Sequence, residues 1–143
     1  MTDALNTALL SLVHAAHAAQ GHIESRLEAC GLSIPKLAAL HRLVEAGDSM
    51  PLGQLADRLA CVKSNVTQLV DRLDADGFVT RAPDPNDRRS RLAVITAKGR
   101  RAYAKGIRAR EAAETDLFAA FSKEEAMQLA SLMARLETRA SRS

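Results

Sequence analysis

The chain has 143 residues, of which 47% are hydrophobic, 26% charged and 3% aromatic. That length fits one domain with helical extensions and excludes two independent catalytic domains, and the composition is that of a globular protein with a core rather than a disordered polyelectrolyte. The few aromatics, with no Trp, argue against a single-strand binder built on base-stacking platforms, and the net charge of +3 permits an anionic partner without demanding one.

No stretch approaches the roughly 18 apolar residues that a membrane span needs. The start, Met1-Thr2-Asp3-Ala4, lacks the basic region of a secretion signal, so the chain reads as cytoplasmic with no membrane partner. Two cysteines, Cys30 and Cys61, are too few for a disulfide framework in that compartment.

In chain order, apolar residues recur at Leu5, Leu9, Leu12, Val13, Ala16, Ile23 and Leu27, mostly three or four apart. This predicts one long amphipathic helix from Asp3 to Ala29, ended by Gly31. Ser33-Ile34-Pro35 is a helix start, with Ser as cap and Pro in the first turn, where its missing N–H has no helical partner. Leu37, Leu40, Leu43 and Val44 line that second helix, and Gly47 closes it. A short third helix runs from Leu52 to Leu59, Ala60-Cys61-Val62 is a tight connection, and a fourth helix spans Lys63 to Asp76. Its buried stripe is Val66, Leu69, Val70 and Leu73. After the Asp76-Gly77 turn come two segments of β propensity, Phe78–Arg81 and Leu92–Ile95. The Pro/Asp/Asn/Arg-rich residues between them predict a hairpin with a long tip. Thr96 caps a long fifth helix that reaches about Ala120. Ser122-Lys123-Glu124-Glu125 is a capping box for the last helix, which carries Met127, Leu129, Leu132, Met133 and Leu136.

The segment from Met50 to Ile95 is therefore a short helix, a tight turn, a second helix and a hairpin. This is a helix–turn–helix with a two-stranded wing, an arrangement that places its second helix in a DNA major groove. The buried stripe leaves Lys63, Ser64, Asn65, Thr67, Gln68 and Arg72 on the other faces of that helix, as donors and acceptors for base edges and phosphates. The hairpin tip holds Asp87, Arg88, Arg89 and Arg91. Guanidinium suits phosphate and the negative potential of a narrow minor groove. A long apolar-striped helix at each end is hard to bury inside one compact winged unit, and a two-fold dimer would also match a palindromic site with half-sites one turn, roughly 10 bp, apart.

Several runs in this region are together similar to the signature of the MarR (multiple antibiotic resistance regulator) family. They are Leu55-Ala56-Asp57-Arg58-Leu59, Asn65 through Leu73, Asp76-Gly77-Phe78-Val79, Pro83 through Arg89 and Leu92 through Gly99. The motif resemblance covers about Ser33 to Gly106. It implies a mainly α winged helix-turn-helix protein with a small β-wing. Residues 1–32 and 97–143 would be dimerisation helices and 33–96 the DNA-binding region, in a homodimer reading a pseudo-palindromic operator. It also implies that Arg89 enters the minor groove with Asp87 orienting it. Pro51 departs from the usual Ser or Thr cap, and Ala60-Cys61-Val62 from a more usual Gly-apolar-Ser, so that Val62 offers no side-chain cap to the reader helix.

The implied activity is sequence-specific binding of double-stranded DNA as a transcriptional regulator, read here as a repressor released by a signal. Two signals fit: an oxidant acting on Cys30 or Cys61, or a small aromatic ligand in the cleft between the dimer helices and the winged region. His14, His17, His22 and His41 lack acidic or Cys partners at ligand spacing, so no metal and no cofactor is expected. No Cys-x-x-Cys, nucleophile elbow or phosphate loop speaks for an enzyme. The competing reading is a winged-helix module that docks other proteins, against which the polar reader helix and the Arg-rich tip both count.

Overall fold

The computed structural model describes residues 1–59 and 65–142. Its order is α1 (Thr2–Glu28), α2 (Ile34–Glu45), β1 (Ser49–Pro51), α3 (Leu52–Arg58), α4 (Val66–Ala75), β2 (Val79–Asp84), β3 (Asp87–Ile95), α5 (Ala97–Phe118) and α6 (Lys123–Ala140). The caps follow the sequence. Ser33 Oγ accepts from Lys36 N at 3.3 Å and Thr96 Oγ1 from Gly99 N at 3.0 Å, while Ser122 and Glu125 satisfy each other's backbone N–H groups reciprocally. Pro51, with no side-chain acceptor, precedes α3 without a cap bond.

Two features differ from the sequence expectation. A third strand, β1, pairs antiparallel with β3 through Ser49↔Val94, Met50↔Ala93 and Pro51↔Leu92, giving the order β1-β3-β2. Ser-Met-Pro has no alternation to reveal a strand, and its Pro is tolerated because β1 is an edge. Nor is the hairpin tip long: β2 runs to Asp84 and β3 begins at Asp87, so only Pro85 and Asn86 turn the chain. The irregularity sits on β3 instead. Arg91 faces Pro83, whereas the next residue of β2, Asp84, faces Asp87, which leaves Arg88, Arg89 and Ser90 bulged out of register.

The core is apolar throughout the described residues, with no buried polar or charged side chain. Leu27 of α1, Leu40 and Leu43 of α2, Leu55 of α3, Val70 and Leu73 of α4 and Val79 of β2 are fully buried together. This one cluster ties the reader helices to the sheet and to the C-terminal end of α1. The rest of α1 and all of α6 are treated differently. Leu5, Leu9, Leu10 and Val13, with Met127, Leu132 and Leu136, are each between 45% and 66% exposed, and α6 buries none of its residues. Among the described residues no helix is long and apolar enough to cross a membrane.

Candidate nucleic-acid interface

The fourth helix begins, among the described residues, at Val66; Lys63 and Ser64, expected on its first turn, lie outside them, as does Cys61. Asn65 is the residue before the helix, with no side-chain cap bond. Val66, Leu69, Val70 and Leu73 are buried as their spacing predicts, and Asn65, Thr67, Gln68 and Arg72 are exposed. The exposed side chains divide into two groups. Asn65, Gln68 and Arg72, at positions i, i+3 and i+7, line one depression of about 140 Å³ beside Pro35 at the start of α2. Thr67 lies in a second depression, of about 250 Å³, with Gly53 and Ala56 of α3 and Arg81 of β2.

The C-terminus of α4 is held firmly. Gly77, at φ 76°, adopts the left-handed conformation that a residue with a Cβ resists. Gly77 N then donates to Asp74 O and Phe78 N to Leu73 O, both at 2.9 Å. Lys36 of α2 pairs with the Asp76 carboxylate at 2.7 Å, and Lys98 of α5 donates to the Asp76 carbonyl at 2.9 Å.

In the wing, two aspartates bond backbone two residues ahead. Asp84 Oδ1 accepts from Asn86 N and Asp87 Oδ1 from Arg89 N, each at 2.9 Å. Asp87 thus orients the backbone that carries Arg89. The carboxylate is satisfied locally by the tight turn, which the sequence reading had drawn as a long tip. Arg88, Arg89 and Arg91 are all exposed, and none has an ion pair among the described residues. They stand on or beside the bulge that lifts the strand out of register, a device that re-aims side chains.

Sequence reasoning missed Arg81. It sits on β2, its side chain 27% exposed, with Nη1 bonded to Asp74 at 2.8 Å and Nη2 to Asp71. The available signal was the pair of aspartates one turn apart on the reader helix, followed by an arginine in the next strand.

Cys30, a half-buried free thiol just past α1, lines a cavity of about 390 Å³ with Phe78, Lys98, Arg101 and Lys105. Two of the histidines have carboxylate or phenol neighbours, of which Glu45 is at i+4 from His41 and the others are distant in the chain. His22 Nε2 is 3.3 Å from Asp116 and His41 Nδ1 is 2.8 Å from the Tyr103 hydroxyl, with His41 Nε2 3.3 Å from Glu45. Among the described residues no three metal-donor side chains gather at one place.

The model of the MarR family matches residues 32–90, the stretch that holds α2, the reader helices, β2 and the start of β3. Two curated relatives agree. The chain is 38% identical over 79 residues to the transcriptional activatory protein BadR of Rhodopseudomonas palustris, an alignment covering 54% of this chain and 45% of that protein, so it spans about half of that relative. It is 30% identical over 99 residues to the HTH-type transcriptional regulator MhqR of Bacillus subtilis, covering 69% of this chain and 68% of that one. Among solved structures, Sco5413, a MarR family transcriptional regulator from Streptomyces coelicolor, superposes with a TM-score of 0.78 at 27% identity over 94% of each chain. By its reader helices, its wing and these likenesses, the chain belongs to the MarR family of winged helix-turn-helix transcriptional regulators.

Proposed function

We propose that the chain works as a homodimer that binds a pseudo-palindromic stretch of double-stranded DNA and represses transcription by covering it. The observation that carries this reading is the pairing of two exposed polar surfaces. One is the α4 face of Asn65, Gln68 and Arg72; the other is a wing whose Arg88, Arg89 and Arg91 have no intramolecular ion pair among the described residues. A helix rich in amide and hydroxyl groups reads base edges, and unpaired guanidiniums neutralise phosphates or enter a minor groove. The apolar residues left open on α1 and α6 supply the surface for a second copy, since a soluble chain seldom leaves such stripes to water. Release belongs to a signal. Cys30, which lines a cavity with Lys98, Arg101 and Lys105, offers an oxidant a half-buried thiol, and a small aromatic ligand between the dimer helices and the winged region is the other route.

Selection of bound sequences from a randomised double-stranded pool, with and without mild peroxide, tests the reading. Enrichment of a palindrome supports it; no enrichment at moderate salt overturns it. Arg89→Ala is expected to weaken binding to all sequences and to lower the salt slope by about 1, whereas Gln68→Ala acts chiefly on sequence preference. Reporter transcription from the selected site then decides the sign, which falls on removing the gene if the protein activates and rises if it represses.

A further inference from the structure

Apolar packing holds α4 against the core through Val66, Leu69, Val70 and Leu73, and such packing is non-directional. It fixes which face of the helix is buried but tolerates small rotations about the helix axis. Fixing the rotation needs directional bonds. At the C-terminus these come from the Gly77 turn and from Lys36 on Asp76. In the middle of the helix they come from Arg81. Its planar fork gives one prong to Asp74 and the other to Asp71, two carboxylates one turn apart on the same helical face. The backbone beneath Arg81 is itself fixed, because Arg81 is in register with Ala93 on the central strand of the sheet. The same side chain lines the depression that holds Thr67, one turn before Asp71. One guanidinium therefore spans wing and reader helix and flanks an exposed reader side chain.

We propose that Arg81 is a positioning residue for sequence discrimination: its fork on Asp71 and Asp74 sets the rotation of α4 against the wing, and it does not contact phosphate. With both prongs occupied by carboxylates, its charge is already neutralised, in contrast with Arg88, Arg89 and Arg91 on the same hairpin. This inference rests on the DNA-binding reading above.

Arg81→Lys tests it, because lysine keeps the charge and loses the fork. The readouts are affinity for the selected palindrome, affinity for random duplex, the salt slope of each and the melting temperature. The expected result is a loss of roughly fivefold or more in the ratio of specific to random binding. The salt slope and the melting temperature should stay at their wild-type values. Asp74→Asn, which removes the acceptor of one prong, is expected to lose the ratio in the same way, and the two changes together to lose no more than the larger single effect. An Arg81→Lys protein that keeps the wild-type ratio overturns the proposal, as does one that loses specific and random binding equally with a lowered slope, the signature of a phosphate contact. Fully additive losses for the two variants overturn it too, since they would show independent roles. If the wild-type protein selects no sequence, the DNA-binding reading itself fails, and this inference fails with it. That outcome is separable from the others because it appears before any variant is made.

Discussion

Gly99 lies in the first turn of α5, where its fellow signature residue Thr96 caps the helix. A Cβ built there falls 2.0 Å from the carbonyl oxygen of Phe78, 2.9 Å from the Phe78 carbonyl carbon and 2.9 Å from Ile95 Cγ1. Close carbon–oxygen contacts settle near about 3.3 Å, so Gly99→Ala forces α5 and the end of α4 apart by on the order of 1 Å. The obstacle is backbone, not a side-chain tip that can swing aside. The displaced carbonyl is also the acceptor for Thr96 N at 3.0 Å. Overpacking costs about 1–3 kcal/mol, with the backbone clash placing this site at the upper end, and the stretched hydrogen bond adds about 1 kcal/mol. Against this, alanine favours the helix over glycine by about 1 kcal/mol. The net expectation is a destabilisation of about 2–3 kcal/mol, a fall of roughly 5–10 °C in melting temperature for a chain of this size. Gly21→Ala is the matched control. It too is a helical glycine, but with no atom within 4 Å of the new Cβ, so the propensity term acts alone and the melting temperature should rise by a few degrees. Thermal denaturation followed by circular dichroism, at one protein concentration for all variants, reads both signs. A Gly99→Ala protein that melts with the wild type would refute the close approach of α5 to Phe78, and a Gly21→Ala protein that falls equally far would show that glycine itself, not the contact, is what matters.

Thr96→Val keeps the shape of its side chain but removes both the cap on Gly99 N and the hydrogen bond donated to Gly77 O at 2.6 Å. Chemical denaturation should show a loss of about 1–2 kcal/mol, and an unchanged midpoint would remove Thr96 from the joint between α4 and α5. The Glu125 carboxyl is held below its usual pKa range, first by the Ser122 backbone N–H and then by the Ser122 hydroxyl. Its folded value being depressed, the stabilising contribution is complete above the unfolded carboxylate pKa and is lost as pH falls through the lower folded value. Wild type should therefore exceed Glu125→Gln in urea midpoint at pH 7 and converge with it at strongly acidic pH, and a gap that does not change with pH would contradict this sign. Leu9→Asp combined with Leu132→Asp places charge on the two open apolar stripes. Sedimentation should show a shift from dimer to monomer without loss of helical signal, and a variant that stays dimeric would place the subunit contact elsewhere.

The helices were legible because their ends are chemical. Ser33, Thr96 and Ser122 are acceptors placed just before apolar periodicity begins, and the glycines after α1, α2 and α4 all take positive φ. The buried stripe of α4 was legible for the same reason. β1 was not, because a three-residue edge strand has too few positions to alternate, and its pairing depends on where β3 lies. The wing was recognised but its geometry was misjudged: Pro85 and Asn86 do the turning, while the turn-like residues around them are taken into strands by Asx bonds from Asp84 and Asp87. Arg81 was passed over for a related reason: the two aspartates hint at a cation but do not say which one. Its partners lie 7 and 10 residues back, on another element, and only the fold shows that strand and helix face each other there.

The same contacts constrain how any signal would reach the reader. At the end of α4, Phe78 N closes the helix on Leu73 O, Phe78 O accepts Thr96 N, Thr96 Oγ1 donates to Gly77 O, and Lys98 Nζ lies 5.5 Å from the Phe78 ring centroid. Gly99 brings the α5 backbone directly onto the same carbonyl. These bonds join the end of α4, through the Gly77–Phe78 turn, to Thr96 and the first turn of α5. A packed joint of this kind transmits displacement instead of absorbing it, because neither side has room to relax alone. In the proposed dimer, any event that rotates α5 about its subunit contact therefore carries α4 with it, and Arg81 makes the wing follow α4. Release from DNA then needs no unfolding of the winged region. A change in the spacing of two rigid readers is enough, and Gly77–Phe78 is the turn through which it would pass.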